Sequence, residues 1–137
     1  MPKDKDLADA AKLLLRVVVG GLMLFHGVHK VFYGVAGVEK TMIEHGIPAF
    51  VAYGAYLGEF VAPILLIVGW MSRPAGLVLA FNMFVAIATA HGKDIGSLQK
   101  SGAWAIELQL LYLFGGVLVA LLGPGRWSVS RGRSRLG

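Results

Sequence analysis

Arg16, His26, His29, Lys30, Glu59, Asn82, His91, Glu107 and Gln109 all lie within or at the ends of hydrophobic stretches, where ionisable and strongly polar side chains are out of place. Carboxylates near histidines can relay protons, hold the carbonyls of a quinone head group, or coordinate a metal. A charge at the centre of a bilayer costs about 2.5–3.5 kcal/mol on insertion scales, so an ionisable residue inside a membrane span is a candidate for function.

The stretches that must position these residues cover 13–33, 50–71, 74–91 and 103–122. Each approaches the ~20 residues that an α-helix needs to cross a ~30 Å hydrocarbon core. The chain is 56% hydrophobic and 15% charged, with mean hydropathy +0.68, whereas a soluble domain is typically ~25% charged. One integral membrane domain over 13–123 follows, flanked by a segment at 1–12 and a basic tail at 124–137. The expected fold is all-α, a four-helix transmembrane bundle. Between its first two spans, Val38, Met42 and Ile43 recur at helical spacing with Glu39, Lys40 and Glu44 among them, which predicts a short interfacial helix able to cap the bundle.

The chain contains no cysteine. That excludes disulfides, a thiol nucleophile and a cysteine-ligated metal or iron–sulfur cluster. The net charge of +5 comes from basic residues at the ends and between the stretches, with no aromatic interleaving, a pattern suited to topology rather than nucleic acid. The apolar run after Lys3, Lys5 and Lys12 is too long for a removable signal, and no small-residue cleavage site follows it. With the N-terminus inside, nine basic residues (Lys3, Lys5, Lys12, Arg16, Arg73, Arg126, Arg131, Arg133, Arg135) lie on the inner side and four (Lys30, Lys40, Lys93, Lys100) on the outer side. This predicts both ends in the cytoplasm. The tail can also press on anionic lipid.

Helical geometry turns position into depth. At 1.5 Å per residue, His26 lies about 10 Å from the outer boundary, Glu59 about 13 Å and Glu107 about 6 Å, with His91 at the boundary itself. Arg16, Gly20, Met23, His26, Gly27 and Lys30 share one face of the first stretch. Two carboxylates and two imidazoles are therefore expected to line an outer-half pocket. Arg16 stands apart near the inner side. In the second stretch Gly54 and Gly58 form a GxxxG pair suited to close packing, and Pro63 should kink the helix. A tight inner turn is expected at Ser72-Arg73-Pro74.

Plainer readings compete. His26 and Glu59 could be interhelical hydrogen-bond glue, Lys30 and Arg16 snorkelling cations, and Asn82 and Gln109 packing hydrogen bonders. A metal site lacks HExxH or HxH spacing, and a bis-histidine haem would need His26 and His91 at one depth, where they differ by about 10 Å. Neither metal nor haem is expected.

Several blocks resemble the DoxX family of small four-span bacterial membrane proteins. They are Leu15-Arg16 to Gly20, Phe25-His26-Gly27-Val28-His29-Lys30, His45-Gly46-Ile47-Pro48, Gly58-Glu59-Phe60 with Gly69 and Ser72-Arg73, His91, Glu107-Leu108-Gln109, and Gly123-Pro124-Gly125-Arg126-Trp127-Ser128. Ala62-Pro63 departs from the family's usual GG pair, and Gln109 replaces a small residue. The resemblance implies a redox-linked inner-membrane protein related to a subunit of thiosulfate:quinone oxidoreductase, with Arg16, His26, Lys30, Glu59, His91 and Glu107 as the family-matching polar residues. The expected role is a quinone-interacting subunit. Glu59 or Glu107 would handle protons, and His26, Lys30, His91 and Arg16 would contact the cofactor. The expected partners are the lipid bilayer and other membrane or periplasmic oxidoreductase subunits, with an oligomer as a further possibility. A non-catalytic scaffold in a larger complex is the alternative.

Overall fold

The computed structural model describes residues 2–137 and is all-α. Helix α1 spans Pro2–Tyr33, α2 Ala36–Glu44, α3 Ala49–Val68, α4 Ser72–Thr89 and α5 Glu107–Leu122. Residues 2–12 continue into the first apolar stretch as one 32-residue helix. α1 packs on α3 and α5, and α4 packs on the same two, closing a four-helix ring around Val19, Met23, Leu66, Leu79, Met83, Tyr112 and Val119. α3 and α4 are long and apolar enough to cross a membrane; α5 is apolar but has 16 residues. Phe25, Phe81, Phe84, Leu111, Phe114 and Leu121 point outward, each more than half exposed. So much exposed apolar surface is a burden in water and matches lipid.

Backbone proximity depends on glycines other than the GxxxG pair. A Cβ on Gly54 would meet nothing within 4 Å, whereas one on Gly27 would run into the Glu59 carbonyl and one on Gly20 would lie 2.8 Å from the Pro63 carbonyl. Gly76 and Gly116 meet in the same way across α4 and α5, each Cβ 2.5 Å from the other's carbonyl oxygen. Gly58 does sit at a seam, facing the Asn82 side chain.

Pro63 widens its helix instead of merely bending it. It has no N–H to offer the Glu59 carbonyl four residues earlier. Leu57–Val61 winds as a π-helical turn, followed by regular helix at Ala62–Val68. Glu59 sits in that turn, and such bulges often occur at functional sites.

The turn between α3 and α4 falls at Gly69–Met71, ahead of the expected position. Gly69 takes φ +76°, and Pro74 is accommodated in the first turn of α4. Buried Arg16 closes this end. Its guanidinium donates to the carbonyls of Leu66 (2.8 Å), Ile67 (3.2 Å), Pro124 (3.0 Å) and Trp127 (2.7 Å). A cation on the last carbonyls of α3 also complements the helix dipole. Arg73 does the same for α5 through Ala120 (2.6 Å) and Leu121 (2.9 Å). The tail folds back over this end. The Gly137 and Leu136 carbonyls accept from the amides of Met71 and Arg73, and the amides of Val129 and Ser130 donate to the Val68 and Gly69 carbonyls. These bonds use backbone groups that a helix end leaves unpaired.

Candidate functional site

At the opposite end, α2 and the opening turn of α3 form a cover. Val35, Met42, Ala52 and Ala55 make a small second core, joined by Val38, Ile47, Tyr56 and Val85. Beneath it lies a cavity of about 880 Å³, within the range of small-molecule sites. Its walls are mostly apolar, with His26, His29, Lys30, Glu59, Asn82, His91, Gln109 and Tyr112 among the polar groups.

The centre of the polar set is an ion pair. Lys30 Nζ donates to Glu59 Oε1 at 2.7 Å, with the carboxylate side chain 9% exposed and the lysine 20%. α1 brings Lys30 down at its last turn, where the Tyr56 hydroxyl donates to the Lys30 carbonyl at 3.2 Å. The π-turn holds Glu59, and Gly27 lets the two backbones approach. His26 lines the cavity and meets the Tyr112 ring edge-on, centroids 5.9 Å apart. His29 lies against Tyr33 with the two rings tilted, centroids 4.7 Å apart.

His91 lies on the wall at the end of α4, with Nδ1 3.3 Å from Asp94 Oδ2 and Nε2 3.1 Å from Gln109 Nε2. One tautomer satisfies both contacts, with Nδ1–H donating to Asp94 and Nε2 accepting from the Gln109 amide. That leaves Gln109 Oε1 buried without a hydrogen-bond partner among the described residues. Such an orphaned acceptor is uncommon in a folded interior.

Two expected members stand elsewhere. Glu107 is exposed and lines a separate groove of about 310 Å³ with Trp104, Leu110, Leu111 and Phe114. The helix begins at Glu107 rather than near Trp104. Residues 97–106 form a folded loop closed by the Leu98–Trp104 bridge, so Glu107 starts the helix instead of lying a turn inside it. Arg16 lies at the end of the bundle away from the cover, its donors engaged by four carbonyls, and does not line the cavity. Gln109, Asn82 and Tyr112 join the wall in its place. For Gln109 the available signal was its i, i+2 position after Glu107, which turns it away from the face that Glu107 occupies. Among the described residues no three His, Asp or Glu side chains gather as metal ligands.

Residues 11–92 match the family described as DoxX. The chain is 34% identical over 85 residues to "Putative oxidoreductase CatD" of Bacillus subtilis, covering 62% of this chain and 63% of that protein's length. It is 29% identical over 132 residues to "Uncharacterized membrane protein Rv3486" of Mycobacterium tuberculosis, covering 90% of this chain and 81% of the relative. It is 28% identical over 131 residues to "Inner membrane protein YqjF" of Escherichia coli, covering 93% and 95%. No solved structure matches. The cover, the Lys30–Glu59 pair and all of the cavity wall except Leu108, Gln109 and Tyr112 thus lie within the matched region, and the chain belongs to the DoxX family.

Proposed function

We propose that this membrane protein of the DoxX family is a redox-linked subunit whose cavity receives a quinone head group. The cavity would lie in the outer half of a four-span bundle in the cytoplasmic membrane, with both chain ends inside. The observation that carries the reading is the Lys30–Glu59 pair in the wall of a mostly apolar cavity of about 880 Å³. A flat, apolar ring edged with carbonyls needs donors at its rim and hydrocarbon on its faces. Lys30 brings an ammonium with three N–H groups, of which Glu59 uses one, and His26 brings a ring nitrogen. Gln109 Oε1 offers an acceptor to a hydroxyl.

A bound quinone accepts two electrons and two protons on reduction. Lys30 would donate a hydrogen bond to a head-group oxygen while Glu59 balances its charge. His26, backed by Tyr112, would fix the ring and hold or release a proton at nitrogen. The proton role falls to Glu59 rather than Glu107, because Glu107 is outside the cavity. With no cysteine in the chain, any thiol or sulfur chemistry would belong to a partner subunit.

Titration of an oxidised benzoquinone into the purified protein tests this. Saturable binding that weakens in His26→Ala and in a Lys30→Met/Glu59→Gln double variant supports it. Absent binding, or binding indifferent to those changes, overturns it. A scaffold would instead retain a partner in mild detergent and tolerate loss of the same groups.

A further inference from the structure

We propose that the cavity continues as an apolar groove along the α3–α4 seam, and that this groove takes the hydrocarbon chain of a membrane-resident amphiphile whose head lies at the Lys30–Glu59 pair. The proposal rests on the head-group reading above and adds to it the route of entry and the form of the ligand.

The cavity wall has two ends of opposite character. Buried Met23, Glu59 and Met83 lie at the deep end, and Lys30, His26 and His29 stand on α1. On the α3–α4 side the same wall is made by Leu57, Leu77 and Phe81, which are 52%, 56% and 67% exposed. A wall that runs from a buried carboxylate to side chains on the outer surface opens sideways, toward acyl chains. Asn82 stands on the same wall, facing Gly58 across the seam. The charges are at one end and hydrocarbon at the other, the polarity of an amphiphile with its head inward.

Gly54 supplies an independent observation. It lines the cavity, is exposed, and has ordinary helical angles of φ −59° and ψ −23°, so no backbone strain calls for glycine there. Glycine in a helix costs about 1 kcal/mol relative to alanine. A Cβ at Gly54 would meet nothing within 4 Å. What the missing side chain leaves is empty space on the groove wall, beside Leu57.

Affinity alone does not report such a groove. A hydrocarbon chain gains little by moving from lipid to an apolar wall, since lipid tails are as apolar as leucine. The location of the chain does report it. The full-length protein in phosphatidylcholine vesicles is photolabelled with two probes that share a long alkyl chain bearing a terminal diazirine, one with a benzoquinone head and one with a plain hydroxyl head. The groove predicts labelling at Leu57, Leu77 and Phe81 in excess over Leu118 and Leu121, exposed on α5 and outside both the cavity and the Glu107 groove. Gly54→Phe should remove that excess, as should Leu57→Trp, which enlarges a side chain already on the wall. Gly21→Phe, at another open glycine away from the cavity, should leave it intact. Uniform labelling of all outward faces by both probes overturns the groove, even where benzoquinone titration still detects a head-group site. Excess labelling that is equal for the two heads and unchanged in Glu59→Gln overturns the placement of the head at the Lys30–Glu59 pair, and with it the quinone reading, and leaves only an apolar groove.

Discussion

Lys30 and Glu59 are 29 residues apart in sequence, on different helices, and their side chains meet at 2.7 Å in the cavity wall. The contact needs three independent features: the last turn of α1 to carry Lys30, Gly27 to let α1 touch the backbone of α3, and the π-turn before Pro63 to present Glu59. Loss of either partner should not be equivalent. Lys30→Met strands a carboxylate that is nearly fully buried, whereas Glu59→Gln leaves an ammonium on a long stem that can reach more polar surroundings. Breaking a buried pair costs about 3–5 kcal/mol, and replacing both partners can be close to neutral. Lys30→Met should therefore lower the unfolding midpoint in detergent more than Glu59→Gln does. The double variant Lys30→Met/Glu59→Gln should recover most of the loss. Additive losses in this cycle would mean that the two residues do not act as a pair.

Gly27 and Gly21 make a controlled contrast within one helix. A methyl on Gly27 would collide with the Glu59 carbonyl, a backbone atom that cannot swing away. Gly27→Ala should destabilise the bundle by about 1–3 kcal/mol, the usual cost of overpacking. It should also weaken ligand binding, because the collision is at Glu59 itself. Gly21→Ala adds a methyl into open space and should stabilise α1 by up to about 1 kcal/mol. Thermal unfolding of the two variants checks this, and equal shifts would count against the close approach of α1 and α3.

The inward face of α1 was legible in the sequence, since Arg16, Gly20, Met23 and Gly27 recur at helical spacing and are all buried. The existence of α2 and the convergence of residues near 26–30 with Glu59 were legible for the same reason: period and depth are local quantities. Depth counted from a helix start near Trp104 misplaces Glu107. The start is decided by the loop bonds of residues 97–106, which hydropathy does not record. Position along the first stretch separates Arg16 from the pocket residues, but its partners are carbonyls of residues 50 and more positions away, and nothing in a one-dimensional pattern announces a backbone acceptor. Gly54 was read as a packing glycine from its spacing to Gly58. Only the surrounding atoms distinguish a glycine that permits contact from one that leaves space.

Arg16 ties α1 to the end of α3 and to the start of the tail through four carbonyls. Arg16→Met leaves those acceptors without their donor. Hydrogen bonds to a charged group are worth about 1.5–3 kcal/mol each, so even half of the set implies a loss above about 3 kcal/mol. Arg16→Lys keeps the charge but cannot span four acceptors with one ammonium, and should fall between wild type and Arg16→Met. Because the lost contacts reach Pro124 and Trp127, the tail should become susceptible to protease in both variants before the bundle unfolds. A tail equally resistant in all three proteins would show that its own backbone bonds to Met71, Arg73, Val68 and Gly69 hold it unaided.

Asp9 makes the docking of tail to α1 depend on acid. Its Oδ2 accepts from Arg126 Nε at 2.6 Å and its Oδ1 from the Arg126 amide at 3.2 Å, while the Arg126 guanidinium also meets Asp6. The side-chain bond from Arg126, then the backbone bond, hold the Asp9 carboxyl below its ordinary range. Arg126 is raised by the same partners and remains charged throughout the window that matters. A carboxyl whose folded value lies below its unfolded value stabilises the docked tail fully above the unfolded value, near about pH 4, and loses that contribution as pH falls through the folded one. Pepsin cleavage of the tail should accordingly be slow at about pH 5 and accelerate below about pH 4, beyond the protease's own pH dependence on an unfolded control. Asp9→Asn should cleave faster at about pH 5 and show no such acceleration. Asp6→Asn should differ little from wild type, since its exposed pair with Arg126 is screened by water and salt. Identical profiles for wild type and Asp9→Asn would assign the docking to the tail's backbone bonds alone, and in that case raised salt should leave cleavage unchanged as well.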